Sequence, residues 1–204
     1  MNKLKKVNLI QGNIINLPVD ALVNSANKSL LGGGGLDYII HKKAGPLMRA
    51  ECIRINKEKG GCLTGQAEVT TAGNLQAKFL IHAVPPRWLN GDNDEYQLLC
   101  DTYSSALQKA EEIKAKTVSF PNIATGVYAF PKQVAAEIAI GTVLSLLPSY
   151  NEIQEVLFVC HELVNYEIYK RILEQINDPI QVLPLGNPEE VDPVIKTPVP
   201  PEHL

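Results

Sequence analysis

Residues 21–45 read ALVNSANKSLLGGGGLDYIIHKKAG, and this stretch says most about the fold. An apolar strand, Ala21 to Asn24, leads through a loop with four consecutive glycines into a helical pattern that starts near Leu36. A strand, a glycine-rich loop and a helix in this order are typical of α/β proteins. Because glycine has no Cβ atom, its backbone can approach an anion closely, so this junction also predicts a phosphate site.

The chain on either side repeats this alternation of short strands and longer helices as far as about Gln175. Most strands are apolar on both faces, as in a sheet covered by helices on both sides. The predicted strands are Val7–Ile10, Ala21–Asn24, Ala67–Ala72, Phe79–Val84, Thr117–Phe120 and Val156–Cys160. Further helices are predicted from about Asp92 to Lys114, from Pro131 to about Leu147 and from about Leu163 to Gln175. Asp92 with Glu95 resembles a capping box.

Composition and charge narrow the functional classes. The chain has 204 residues, of which 45% are hydrophobic and 20% charged, as in a globular domain. A net charge of −3 argues against general attraction to nucleic acid or anionic lipid, so any phosphate must be held locally. No segment has the roughly 20 apolar residues of a membrane span, and none resembles a signal peptide. We therefore expect a cytoplasmic protein with neither a membrane nor a nucleic-acid partner.

The four cysteines lack the short spacing of zinc or redox motifs and are expected to be free thiols in a reducing compartment: Cys52, Cys62, Cys100 and Cys160. No metal is predicted. Beyond Ile176 the composition changes, since seven of the 14 prolines lie in residues 177–204. We predict a folded domain over residues 1–176 and an extended or disordered tail over residues 177–204.

A second strand-to-helix junction lies at Pro121 to Pro131. Ligands of open α/β sheets bind at the carboxyl ends of strands, so we expect both loops to project from one sheet edge and to clamp a diphosphate. The glycine loop has neither the spacing of a dinucleotide fingerprint nor that of a P-loop. A flexible loop at the first junction and a simple turn at the second are the alternatives.

Three polar residues accompany the glycine loop: Asn27, Asp37 and His41. Asp37 and His41 are four residues apart on the predicted helix, so their side chains share one face. A carboxylate repels bound phosphates, and this cost suggests a purpose, such as orienting or deprotonating a water molecule. Asn27 could hold a substrate hydroxyl. For Asp37 and His41 taken singly, an ordinary helix position is the alternative.

Taken together, Asn24 to Gly45, Thr125 to Pro131 and the strand Val156 to Cys160 resemble the macro domain family. The MacroD-type branch, which includes bacterial O-acetyl-ADP-ribose deacetylases, is the most similar. This resemblance covers about Val7 to Gln175 and implies an α/β fold, a three-layer α/β/α sandwich with a mixed central sheet. It also implies hydrolysis of acyl esters on the distal ribose of ADP-ribose without metal or cofactor. The implied partners are ADP-ribose, its O-acyl derivatives and proteins carrying ADP-ribose on Asp or Glu.

The resemblance assigns roles to individual positions. Catalytic roles near the distal ribose fall on Asn27, Asp37, His41 and Tyr128, with Asp37 as the catalytic aspartate. The phosphate loops are Gly33, Gly34, Gly35 and Leu36, and Thr125, Gly126, Val127 and Tyr128. Asn13, Ile14 and His161 are placed at the adenosine end.

Several positions depart from the family pattern. Asn13 stands where an aspartate is usual, His161 where a larger aromatic ring is common, Ala124 for a serine and Ala129 for a glycine. A neutral acceptor at Asn13 forms a weaker hydrogen bond than a carboxylate, which bears on adenine affinity. Two alternatives to the enzyme stay open: a module that binds ADP-ribose without hydrolysing it, and a protein whose phosphate loops serve a different nucleotide or a nucleic-acid end.

Overall fold

Strands and helices alternate in the predicted order, and each predicted strand is present. The computed structural model describes residues 5–176 and the backbone of residues 181–182. Its elements are β1 (Lys6–Gln11), β2 (Ala21–Ser25), α1 (Gly35–Ala44), α2 (Pro46–Lys59), β3 (Ala67–Thr71), β4 (Phe79–Ala83), α3 (Glu95–Glu112), β5 (Thr117–Phe120), α4 (Lys132–Leu146), β6 (Glu155–Cys160), α5 (Leu163–Gln175) and β7 (Gln181–Val182). The rest of the predicted tail lies outside the described residues.

The strands form one sheet in the order β3-β4-β2-β5-β6-β1-β7. All neighbouring pairs are parallel except β3 and β4, which are antiparallel, so the sheet is mixed as the resemblance implies. Because β2 and β5 are parallel neighbours, the loops that follow them leave the sheet at the same edge. The predicted shared edge is confirmed.

Helices cover both faces of the sheet. Successive β2 side chains point to opposite faces. Val23 belongs to the buried cluster that contains Tyr103 of α3 and Tyr169 of α5, whereas Leu22 belongs to the cluster that contains Met48 of α2. All five side chains are at most 2% exposed, and burial of each large apolar side chain contributes about 1.5–3 kcal/mol. The three-layer α/β/α sandwich is therefore confirmed.

The helix after the glycine loop ends at Ala44. Gly45 has φ of +84°, a conformation that favours glycine, and Pro46 then occupies the first turn of a new helix, α2. Cys52 of α2 is buried in the same apolar cluster as Leu22, and its Sγ lies 3.7 Å from His82 Nε2 on β4.

The predicted start of α3 was wrong, as was its capping box. The helix begins at Glu95 rather than Asp92, and the Asp92 amide donates to Asn90 rather than to Glu95. The Glu95 carboxylate instead accepts from backbone amides of the preceding loop, at distances from 2.6 Å for Asn93 to 3.4 Å for Asn90. One buried carboxylate therefore organises the whole turn that leads into α3.

We expect this carboxylate to make stability depend on pH. Burial opposes ionisation, but the amide of Asn93 and its neighbours outweigh it and lower the pKa of Glu95 from 4.5 to about 2. A depressed folded-state pKa stabilises the fold above pH 4.5, and that contribution disappears as pH falls towards 2. Glu95→Gln should therefore lower the melting temperature by several degrees at pH 7 and less at pH 3. Thermal melts at both pH values test this; an equal difference at both would assign the effect to packing.

The four cysteines are free, as predicted, and three of them are buried. Among the helices of the described residues, none is long and apolar enough to cross a membrane.

Candidate functional site

The first loop is shaped by the side chain of Asn27. Its Oδ1 accepts from the Ser29 hydroxyl at 2.8 Å and from the Leu30 amide at 3.1 Å, and its Nδ2 donates to the Gly32 carbonyl at 2.9 Å. A primary amide carries two N–H donors, so one remains for another acceptor. Asn27 thus folds the loop and still has a donor to offer beside Gly33.

The glycines bring this loop onto the amino-terminal end of α1. Gly34 is extended, with φ of −101°, and Gly35 has φ of +60°, which favours glycine. The first amides of a helix have no partner within the helix and carry a positive partial charge. Together with Gly33 and Leu36, these residues form a concave backbone surface suited to an anion.

The second loop, residues 121–131, is closed by its own hydrogen bonds. The Ala129 amide donates to the Gly126 carbonyl at 2.9 Å, and the Thr125 hydroxyl donates to the Asn122 carbonyl at 3.0 Å. Ala129 has φ of +55°, which explains why the family usually has a glycine there.

The two loops meet at Gly35 and Val127. A Cβ atom built on Gly35 lies 4.0 Å from Val127 Cγ2, which is van der Waals contact. The predicted pair of phosphate loops is therefore adjacent in space, with exposed backbone at Gly33 and Gly126 on the two sides.

Asp37 lies in the first turn of α1 and is only 4% exposed. Asn24 Nδ2 donates to its Oδ1 at 2.6 Å, and its Oδ2 lies 3.0 Å from the position of a Gly33 Cβ atom. Burial raises the pKa of the Asp37 carboxyl, against the opposing effects of the Asn24 hydrogen bond, the His41 charge and the Gly33 amide. The group is therefore a stronger base than an exposed aspartate.

His41 lies beside Asp37, as the four-residue spacing predicts. Its Nε2 is 3.5 Å from Asp37 Oδ1, and its side chain is 8% exposed. Burial lowers the pKa of His41, and the charge of Arg49 on α2 acts in the same direction, whereas Asp37 opposes both. Asn27 and Asp37 thus meet at Gly33, and His41 lies beside Asp37 against Gly32.

Tyr128 stands on the second loop and contacts another loop of the chain. The Arg87 guanidinium lies 5.5 Å from the centre of its ring, and the Trp88 amide donates to its carbonyl at 2.9 Å. Trp88 itself packs on Phe130, with ring centres 4.7 Å apart. The Arg87–Trp88 segment therefore borders the second loop.

The residues predicted to contact adenosine lie where β1 and β6 finish side by side. Asn13 caps a short 3-10 turn, accepting from the Ile15 amide at 3.3 Å, so its carbonyl is partly used by the protein. Ile14 is buried, and His161 follows β6 as an exposed residue. The Gly12 amide donates to the Cys160 carbonyl at 3.0 Å and joins the two strand ends.

Sequence reasoning missed two residues behind Asp37. His82 of β4 and Thr70 of β3 are both buried, and the ring of His82 bridges Asn24 and Thr70. The available signal was a histidine within the otherwise apolar strand FLIHA.

His82 also belongs to the one group among the described residues that could hold a metal ion, with donor atoms of His41 and Cys52 within 4.8 Å. Both His82 nitrogens already have partners. Burial also raises the pKa of the Cys52 thiol to about 12, which disfavours the thiolate that binds metals. A metal would have to displace hydrogen bonds at this position.

Gly33 offers a test of how closely Asn27 and Asp37 approach. An alanine Cβ there would lie 3.0 Å from Asp37 Oδ2 and 3.2 Å from Asn27 Nδ2, so both side chains would have to shift. We expect Gly33→Ala to lower kcat/KM for an ADP-ribose ester roughly tenfold. Gly141→Ala is the matched control, since nothing lies within 4 Å of its Cβ position on α4. Equal kinetics in the two variants would contradict the close approach of Asn27 and Asp37 to Gly33.

Comparison with known proteins identifies relatives over most of the chain. A macro domain family profile matches residues 23–139. A macro domain-containing protein of Acinetobacter is 70% identical over 88% of this chain and 99% of its own length. Two proteins named O-acetyl-ADP-ribose deacetylase are similar: one from Pantoea vagans at 45% identity over 83% of this chain and 99% of its own, and one from Escherichia fergusonii at 43% over 85% and 98%.

Solved structures show the same similarity. The Oceanobacillus iheyensis macrodomain with ADP superposes with a TM-score of 0.79 at 34% identity, covering 86% of this chain and 94% of that one. The Trypanosoma brucei macrodomain in complex with ADP-ribose gives a TM-score of 0.75 at 32% identity, covering 82% of this chain and 68% of that one.

Proposed function

This chain belongs to the macro domain family, and we propose that it hydrolyses acyl esters on the distal ribose of ADP-ribose. The observation that carries the proposal is the buried Asp37, which lies in the first turn of α1 against Gly33 of the first loop and has a raised pKa. The names of the Pantoea vagans and Escherichia fergusonii relatives support it.

In this proposal the diphosphate lies between the two loops. The backbone amides of Gly33–Leu36 and Thr125–Val127 hold it, and the dipole of α1 stabilises its charge. No basic side chain is required, which agrees with the net charge of −3. Ile14 and the side chains of Asn13 and His161 are then placed to contact the adenosine.

Asp37 is the proposed general base, with Asn27 donating its remaining N–H to a ribose hydroxyl. A water molecule loses a proton to Asp37 as its oxygen attacks the ester carbonyl carbon. The bond between that carbon and the ribose oxygen then breaks, and the proton on Asp37 passes to the ribose oxygen. The products are ADP-ribose and the free carboxylic acid. A carboxylate with a raised pKa suits both proton transfers, because its pKa is closer to neutral pH.

His41 and Tyr128 are assigned supporting roles. His41 lies against Asp37 Oδ1, and burial lowers its pKa while the Asp37 charge opposes that shift. Tyr128 covers the ester-bearing ribose from the second loop, where the Arg87 guanidinium lies against its ring.

Two substrate classes carry the required ester: O-acetyl-ADP-ribose, and proteins with ADP-ribose on Asp or Glu. Both present a carboxylic ester on the same ribose, and we propose both as substrates. The free thiols suit a reducing compartment, and we propose the cytoplasm.

The deciding experiment combines calorimetry with ADP-ribose and a time course with O-acetyl-ADP-ribose. We expect binding heat together with the release of acetate and ADP-ribose. Heat without product would instead identify a non-catalytic ADP-ribose-binding module. No heat, with stabilisation by a different nucleotide, would overturn the ligand assignment.

A further inference from the structure

A chain of buried polar side chains runs behind Asp37 through the sheet. It comprises Asn24 on β2, His82 on β4 and Thr70 on β3, which are 0%, 0% and 2% exposed. Asn24 Nδ2 lies 3.1 Å from His82 Nδ1, and His82 Nε2 lies 2.9 Å from Thr70 Oγ1. Nothing in the proposed reaction uses His82 or Thr70, yet buried polar groups are costly unless they are paired.

The direction of each hydrogen bond in this chain follows from its outer end. The Thr70 hydroxyl donates its one proton to the Thr71 carbonyl at 3.0 Å, so it accepts from His82 Nε2–H. His82 Nδ1 therefore carries a lone pair and accepts from an Asn24 N–H. The threonine thus selects the histidine tautomer, and the tautomer selects which end of the Asn24 amide faces it.

The Asn24 amide has little else to fix its orientation. Its Oδ1 is buried and has no hydrogen-bond partner within the described part of the chain. Rotating the amide by half a turn would bring Oδ1 against Asp37 Oδ1 and against the His82 lone pair, both of which are acceptors. The observed orientation therefore depends on the contacts of Nδ2 with Asp37 and with His82.

We propose that His82 is a positioning residue for the hydrolysis, holding the Asn24 amide so that it donates to Asp37 and fixes this carboxylate towards the distal ribose. The proposal rests on the proposed function. It gives the buried histidine a task that a purely apolar strand could not perform, since the lone pair on His82 Nδ1 is the second acceptor, beside the Asp37 carboxylate, that keeps the amide turned.

Other titratable groups around Asp37 do not replace this contact. His41 faces it from α1, Cys52 and Arg49 belong to α2, and His82 belongs to β4. Burial lowers the pKa of His82 to about 3, so His82 stays neutral in the working range. If a substitution at His82 shifts the acidic limb of the pH profile of kcat/KM, the shift therefore does not come from the titration of His82 itself.

The test compares the pH profile of hydrolysis in His82→Leu, Thr70→Val and the conservative control Thr70→Ser. Losing the Asn24 donation raises the pKa of a buried carboxyl further, so the acidic limb of kcat/KM should move upward by about one pH unit in His82→Leu. We expect kcat to fall at least about tenfold, with the ADP-ribose Kd within threefold. Thr70→Val should move the limb in the same direction by less, and Thr70→Ser should match the unaltered protein.

A second readout needs no activity. The ¹⁵N NMR spectrum of the His82 ring should show a neutral Nε2–H tautomer in the unaltered protein and in Thr70→Ser, but not in Thr70→Val. An Nδ1–H tautomer in the unaltered protein would overturn the proposal. So would an unshifted limb in folded His82→Leu and Thr70→Val. If the unaltered protein bound ADP-ribose with the expected tautomer but hydrolysed no ester, the proposed function would fail separately.

Discussion

Asp37→Ala is expected to lower turnover of O-acetyl-ADP-ribose at least about tenfold, equivalent to ~1.4 kcal/mol or more of transition-state stabilisation. The substitution removes the carboxylate that contacts Asn24 and His41 and lies against Gly33. The backbone amides that would hold the diphosphate are untouched, so the Kd for ADP-ribose should change no more than severalfold. Steady-state kinetics with calorimetry on the same variant measure both quantities.

Asp37→Asn is the matched control for shape. It keeps the volume of the side chain and an acceptor for Asn24 Nδ2, but it cannot take a proton. We expect it to be as inactive as Asp37→Ala. Ester hydrolysis at the unaltered rate in either variant would exclude Asp37 as the base.

Gly61→Ala is expected to have the largest effect on stability. Gly61 has φ of +101°, and a Cβ atom there would lie 2.1 Å from the Lys28 carbonyl oxygen, which already accepts from the Cys62 amide at 2.8 Å. The left-handed conformation and the backbone overlap together should lower the free energy of unfolding by about 3 kcal/mol. Because Lys28 adjoins Asn27, affinity for ADP-ribose should fall as well.

Substitution of the neighbouring Gly60 separates the effect of the steric overlap with Lys28 from the effect of the positive φ angle. Gly60 has φ of +76°, but nothing lies within 4 Å of its Cβ position. Gly60→Ala should therefore cost only about 1 kcal/mol and leave ligand affinity unchanged. Urea unfolding of both variants gives the comparison; equal losses of stability would show that Lys28 and Gly61 are not in close contact.

The elements of the fold were predictable because their signals are local. Apolar runs such as Val156–Cys160 are buried on both faces of the sheet and need no distant residue to be recognised. The start of α3 at Glu95 was not predictable in this way. The Glu95 carboxylate accepts from the amides of Leu89 and Asn93 in the preceding loop, and not from the amide of Asp92 as the capping box predicts. A capping motif has the same sequence whether or not its backbone adopts the capping geometry.

The site divides in the same way. Asp37 and His41 are neighbours on one helix, so their spacing predicts their proximity. Hydrogen bonds through Asn24 join His82 and Thr70 to Asp37, and the order of strands that brings them together is not specified by any single segment. Asn13 shows a third case, because its use as a cap of the following turn competes with its predicted contact to adenine.

The most direct test of this account is a crystal structure of the protein with ADP-ribose. The diphosphate should lie between the amides of Gly33–Leu36 and those of Thr125–Val127, with an Asp37 carboxylate oxygen within hydrogen-bond reach of a water molecule at the distal ribose. A nucleotide bound elsewhere, or a distal ribose turned away from Asp37, would contradict it.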